Sequence, residues 1–201
     1  MIIGAVVVIA IALSLNGCSD SQDSTDVGDV ESADNAEYEL HLKVHHVAFG
    51  NYHTCLVIVS DSNHTRYISV NDKYKKFEWL NYSDSEDSKF FTIGAGGAAG
   101  FVGTLEARYN RSKDKELEIA VEFTKLGAYN ADKIQKIINY HEYYMSHKNP
   151  RYEARPDPKD KSYNCNSYTH GLLNVVNISC NQSTFNTPGW SKPLPAKYFG
   201  A

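Results

Sequence analysis

The 201-residue chain is short of several features that would assign it a class at once. Its longest apolar run, Ile2 to Leu15, is too short and too weakly flanked for a comfortable membrane-spanning helix, which needs about 20 residues. No Lys or Arg precedes that run. There is no clustered basic stripe, so nucleic acid is not an expected partner. No internal repeat is visible. The glycine-rich stretch Gly94 to Gly100 lacks the Lys-Ser/Thr of a phosphate loop and is not placed as a dinucleotide fingerprint, so no cofactor is expected and the stretch reads as a turn or a rim. The pair His45-His46 has no Cys or acid at ligand spacing nearby, so no metal is expected either.

What is present begins with the N-terminus. A short apolar run that ends in Leu15-Asn16-Gly17-Cys18 reads as a secretory signal with a cleavage site. It resembles the lipobox of bacterial lipoproteins, which implies a lipid anchor (diacylglycerol and palmitate chains) on Cys18. Ser19 resembles the outer-membrane sorting pattern. The expectation is a cell-envelope protein, held at a membrane through Cys18, with residues 1–17 as signal peptide. Residues 19 to 37 hold seven acids, no base and only two valines. Such a stretch cannot bury enough apolar surface to offset its ordering entropy, so 18–37 reads as a disordered acidic tether. Without those acids, 17 of the 24 remain against 20 bases, and the domain 38–201 is near neutral at about +3.

Within that domain the periodicity first indicates strands. Tyr38 to Phe49 and His53 to Ser60 alternate, the second placing His53, Cys55, Val57 and Val59 on one face. The turn residues Asp61-Ser62-Asn63 predict a hairpin from this strand into His64 to Val70. Further strands are expected at FFTIG (90–94), Thr104 to Tyr109 and Leu117 to Thr124. The period then changes. Ile134, Ile137, Ile138, His141, Tyr144 and Met145 fall on one helical face, predicting a helix over Ala131 to His147 in which His141 packs. Asn164 is placed to cap a second helix from Cys165 to about Val176, where Gly171 allows close packing. The fold class is α+β: an antiparallel sheet of about five or six strands with two packed helices.

With Cys18 lipidated, Cys55, Cys165 and Cys180 remain, an odd number in an oxidising compartment, so at least one thiol lacks an intramolecular partner. Cys165 stands out. A thiol at a helix N-terminus feels the positive end of the helix dipole, which favours the thiolate, the nucleophilic form. Covalent thiol catalysis also needs a base, and His53 on its strand is the candidate. A third polar group should orient the imidazole; His64, with Tyr67 and Ser69 as weaker options, is the candidate from the next strand. The alternative is a disulfide from Cys165 to Cys180 or to Cys55, which would remove the nucleophile and leave a binding module.

The order of local sequences adds to this. It runs His53-Thr54-Cys55, the Ile93-Gly94-Ala95-Gly96 turn, Asn110-Arg111 and Asp114. Asn164-Cys165-Asn166-Ser167-Tyr168 and Pro188-Gly189-Trp190 to Pro195 close it. Together these resemble a permuted papain-like domain, histidine strand first and cysteine helix last, related to NlpC-type amidases, the lecithin retinol acyltransferase group and PPPDE-type peptidases. The closest likeness is to small domains at the C-termini of bacterial polymorphic toxins. The resemblance implies a cysteine hydrolase or acyltransferase acting on an amide or ester. Its nucleophile would be Cys165, its base His53, with His64 near the place of a second histidine. Peptide, cell-wall and lipid substrates are all compatible with it, as is a non-catalytic binding or inhibitory protein of the same fold.

Overall fold

The structure, a computed structural model, describes residues 38–48, 50–74, 77–82, 87–100 and 103–201. The signal peptide, Cys18 and the acidic tether lie outside the described residues.

Among the described residues, eight strands and two α-helices make an α+β domain. The strands are β1 (Tyr38–His46), β2 (Tyr52–Asp61), β3 (Leu80–Asn81), β4 (Ser88–Gly97), β5 (Leu105–Tyr109), β6 (Ala120–Tyr129), β7 (Arg151–Tyr152) and β8 (Ser162–Tyr163); the helices are α1 (Ala131–Ser146) and α2 (Cys165–Val175). Six strands form one sheet in the order β3-β4-β2-β1-β6, with β5 paired to the far half of β4. Every pairing in it is antiparallel. β7 and β8 form a short parallel pair beside it. Among the described residues no helix is long and apolar enough to cross a membrane.

Alternation along the strands divides the sheet into two unlike faces. Leu40, Leu42 and Val44 of β1, Leu56 and Ile58 of β2, and Phe91 and Ile93 of β4 form the main core with the helices. α1 contributes Ile134, Ile137 and Ile138 at helical spacing, and α2 contributes Tyr168, Leu172 and Leu173. Each such fully buried side chain stabilises the fold by roughly 1.5–3 kcal/mol. The predicted packing role of His141 holds: it is fully buried in α1, with Nδ1 2.5 Å from the Tyr168 hydroxyl. The opposite face carries a smaller apolar cluster of Val57, Val59 and Phe90, with Leu80, Leu117 and Phe123 packed against it. The rest of it is polar: His41, Lys43 and His45 of β1 and His53 of β2, all buried.

Two expected strands differ. His64 to Val70 does not return beside β2; it is a 3-10 turn at Thr65–Tyr67 followed by extended chain. The reason is competition for its backbone groups. Gln135 and Glu142 of α1 accept from Ser69 N–H at 2.9 Å and Asn71 N–H at 2.8 Å, and Gln135 Nε2 donates to Ser69 O, so the segment is tied to the helix. The neighbour of β2 is instead β4. The strand expected at Leu117 to Thr124 begins at Ala120, because Leu117–Ile119 forms a 3-10 turn that lays Leu117 on the small apolar cluster.

Both helices start where expected. Asn130 caps α1 by accepting from Lys133 N–H at 2.9 Å, and Asn164 caps α2 by accepting from Ser167 N–H at 3.0 Å. Gly171 is the point of closest helix contact: a Cβ there would lie 2.4 Å from Leu194 O, so only glycine admits the tail at this distance.

Candidate functional site: a buried thiol, imidazole and carboxylate

β4 pairs with β2 only from Leu56 onward, which leaves Tyr52–Cys55 with an open edge. The start of α2 fills it. Asn166 Oδ1 accepts from Thr54 N–H at 2.8 Å and from the Thr54 hydroxyl at 3.0 Å. Thr169 Oγ1 donates to Thr54 O at 3.0 Å, and Asn166 Nδ2 donates to Tyr52 O at 3.0 Å. These side chains take the hydrogen bonds that another strand would have made, which satisfies buried backbone groups that could not otherwise be left unpaired. The tail locks the same turn from outside. Pro188 O accepts from Asn164 Nδ2 at 2.6 Å and Asn166 Nδ2 at 3.0 Å, and Gly189 O accepts from Ser167 Oγ at 2.9 Å.

The consequence is that Cys165, the first residue of α2, is held against His53. The two side chains are within hydrogen-bonding reach. The other side of the imidazole meets an acid: Nε2 of His53 lies 3.0 Å from Oδ1 of Asp114, at an oblique angle rather than in line. That leaves Nδ1 as the ring nitrogen for the sulfur. Thiol, imidazole and carboxylate therefore stand in sequence, with Cys165 7%, His53 5% and Asp114 1% exposed, so bulk water screens them little.

Asp114 is placed by a loop after β5. Asn110 turns the chain in the left-handed region (φ 46°), and its Oδ1 accepts from Thr92 N–H at 2.9 Å. The loop is then anchored by Lys43, which is fully buried. Its ammonium donates to Lys113 O at 2.8 Å, Asp114 O at 2.8 Å and Glu116 O at 2.6 Å. Gly94 supplies the room: a Cβ there would lie 2.1 Å from Asp114 Oδ2. Gly96 does the same for Arg111, whose Nε is 3.9 Å from that carboxylate.

The electrostatics follow from this packing. Burial alone would push the His53 pKa down, but the neighbouring Cys165 sulfur and Asp114 carboxylate outweigh it and raise it to about 10. Burial would raise the Asp114 pKa, but His53, Arg111 and His45 hold it below the usual carboxylate range. Burial, reinforced by Asp114, pushes the Cys55 thiol well up, so it stays protonated. Both shifts favour the same form of the pair, imidazolium beside carboxylate.

Of the expected site residues, the structure brings Cys165 and His53 together. It does not bring His64. That histidine lies beyond the far end of β2, about 25 Å along the strand from His53, where its Nδ1 is 2.7 Å from Asp61 Oδ2 on the surface. The expectation fails because it rested on a hairpin that α1 prevents. The disulfide alternatives are also set aside: Cys165 is bonded neither to Cys55 nor to Cys180. Sequence reasoning passed over Asp114, Lys43 and His45 as members of the site. The glycine pattern at Gly94 and Gly96 was the available signal, since it marks where bulky side chains approach a strand. Compared with protein-family models, with curated proteins and with solved structures, the chain matches none.

Proposed function

We propose that the protein is a cysteine-dependent hydrolase of amide or peptide bonds, on a papain-like domain in permuted order. Cys165 is the nucleophile, His53 the acid–base group and Asp114 the residue that orients the imidazole. The observation that carries this reading is the placement of His53 between the Cys165 thiol and the Asp114 carboxylate, 3.0 Å from the latter. The lipobox-like Leu15-Asn16-Gly17-Cys18 supports a location in the cell envelope, anchored through lipid on Cys18, where cell-wall peptides are accessible.

The chemistry then runs in two halves. The thiolate attacks the carbonyl carbon and a carbon–sulfur bond forms, while the carbonyl electron pair moves to oxygen. The first N–H groups of α2 have no intrahelical acceptor and are suited to hold that oxyanion. As the carbon–nitrogen bond breaks, imidazolium gives its proton to the leaving amine, and the acyl group stays on sulfur. Neutral His53 next takes a proton from water; hydroxide displaces the thiolate and the acid leaves. Asp114 stabilises the imidazolium in both halves without taking its proton. If an alcohol or amine replaces water, the same acyl-enzyme gives acyl transfer.

Iodoacetamide labelling of the full chain at pH 6, with adducts mapped, tests the site. Cys165 is expected to react faster than glutathione under the same conditions, because His53 stands against its sulfur and assists its attack. His53→Ala and Asp114→Asn should each slow it, and Cys165→Ala should abolish hydrolysis of peptide substrates. Labelling of Cys165 that is no faster than that of glutathione and is indifferent to His53→Ala overturns the proposal.

A further inference from the structure

The reaction uses one imidazole, but two are buried there. His45 and His53 are direct cross-strand partners in the β1–β2 register. That pairing puts both rings on the same face, with centroids 4.8 Å apart. Nε2 of His45 lies 3.9 Å from Oδ1 of Asp114, and the ligand atoms of His45, His53 and Asp114 all fall within 4.8 Å of one another. The hydrolytic cycle gives His45 nothing to do. His53 Nε2, the nitrogen that faces both the carboxylate and His45, is buried without a hydrogen-bond partner. A buried polar atom without a partner is costly and calls for an explanation.

We propose that His45, His53 and Asp114 form a zinc(II) site that reversibly shuts off the Cys165 centre. Two neutral imidazoles and one carboxylate are a donor set zinc takes readily, with bonds of about 2.0–2.2 Å and a fourth position left for water. Tetrahedral ligands at that radius stand about 3.3 Å apart, and the carboxylate oxygen already lies 3.0 Å and 3.9 Å from the two imidazole nitrogens. Small ring rotations therefore suffice. Binding releases the proton on His53 Nε2 to solvent. His53 then keeps only its Nδ1 proton, and giving that up would leave an imidazolate, so it no longer serves as acid and base. The metal site stands apart from the hydrolase reading; only its effect on Cys165 rests on that reading.

The test titrates the full chain with zinc chloride against a chromophoric chelator at pH 7.5, for wild type, His45→Gln and Asp114→Asn. One equivalent should bind wild type, and loss of a ligand should weaken it at least about tenfold. Cobalt(II) chloride on wild type alone gives a second readout, the intense visible band of four-coordinate cobalt without thiolate charge transfer. Stoichiometric zinc should slow iodoacetamide labelling of Cys165, EDTA should restore it, and His45→Gln should escape the effect. Absence of binding, or affinity in His45→Gln and Asp114→Asn equal to that of wild type, overturns the zinc site. Zinc binding that depends on His45 while Cys165 is unreactive even without metal overturns the hydrolase reading and its inhibition, and leaves the metal site standing.

Discussion

The ammonium of Lys43 donates to the backbone carbonyl of Asp114 at 2.8 Å, so a buried cation on β1 sets where the acid of the site stands. Two further carbonyls of the same loop, Lys113 O and Glu116 O, converge on that nitrogen. Desolvation lowers the Lys43 pKa, and nearby Cys55, Asp114, Glu118 and Glu116 oppose it. Lys43→Met keeps the volume of the stem but leaves three carbonyls without their donor. It should lower stability by about 2–4 kcal/mol, measured by urea unfolding, and should also slow labelling of Cys165. A loss under about 0.5 kcal/mol would mean that water replaces the ammonium and that the loop needs no such anchor.

The two glycines facing the site should respond differently to the same change. In Gly94→Ala the new methyl meets Asp114 Oδ2 at 2.1 Å and Cys55 Cβ at 3.3 Å, both held in the interior. We expect a loss of roughly 1–3 kcal/mol and a clear drop in Cys165 labelling at pH 6. In Gly96→Ala the methyl meets the end of Arg111, 2.3 Å from Nη2, and that side chain is 29% exposed and free to swing outward. Stability should change by under about 1 kcal/mol, with labelling near wild type. Equal effects at both positions would refute the assignment of Gly94 as the space for Asp114.

Acid sensitivity should exceed what the carboxylates alone produce. Burial lowers the pKa of His45, with help from His53, and that of His141, each to about 3. Both are neutral when folded and take up protons below about 6.5 when unfolded. Their contribution is therefore present above pH 6.5 and is lost as pH falls toward 3. Each group costs about 1.4 kcal/mol per pH unit over that window. Asp114, whose pKa is lowered, adds its loss only below about 3.8. Urea unfolding at pH 6.5, 5.5 and 4.5 should show a steady fall, and His141→Asn should remove about one proton from the slope. A flat profile over that range would show that neither histidine is held neutral.

Local pattern made much of this protein legible. The two helices, their asparagine caps, the strands around Leu40, Val57 and Phe91, and the placement of Cys165 in the first turn of a helix all follow from short-range periodicity and capping chemistry. So does the identification of His53, because alternation separates it from the helix-facing core. These depend on residues within one or two turns of each other, where propensity and amphipathic spacing dominate.

What only the tertiary structure decided is which distant groups meet. The Asn166 and Thr169 side chains complete the open edge of β2, and this brings Cys165 to His53 across more than a hundred residues. Lys43 reaches some 70 residues along the chain to fix the Asp114 loop. His64, next in sequence to a plausible hairpin, is carried away because α1 takes the backbone groups of the segment after it. The physical reason is the same in each case: buried backbone donors and acceptors must be satisfied, and which side chain satisfies them is settled by the packed whole rather than by the local sequence.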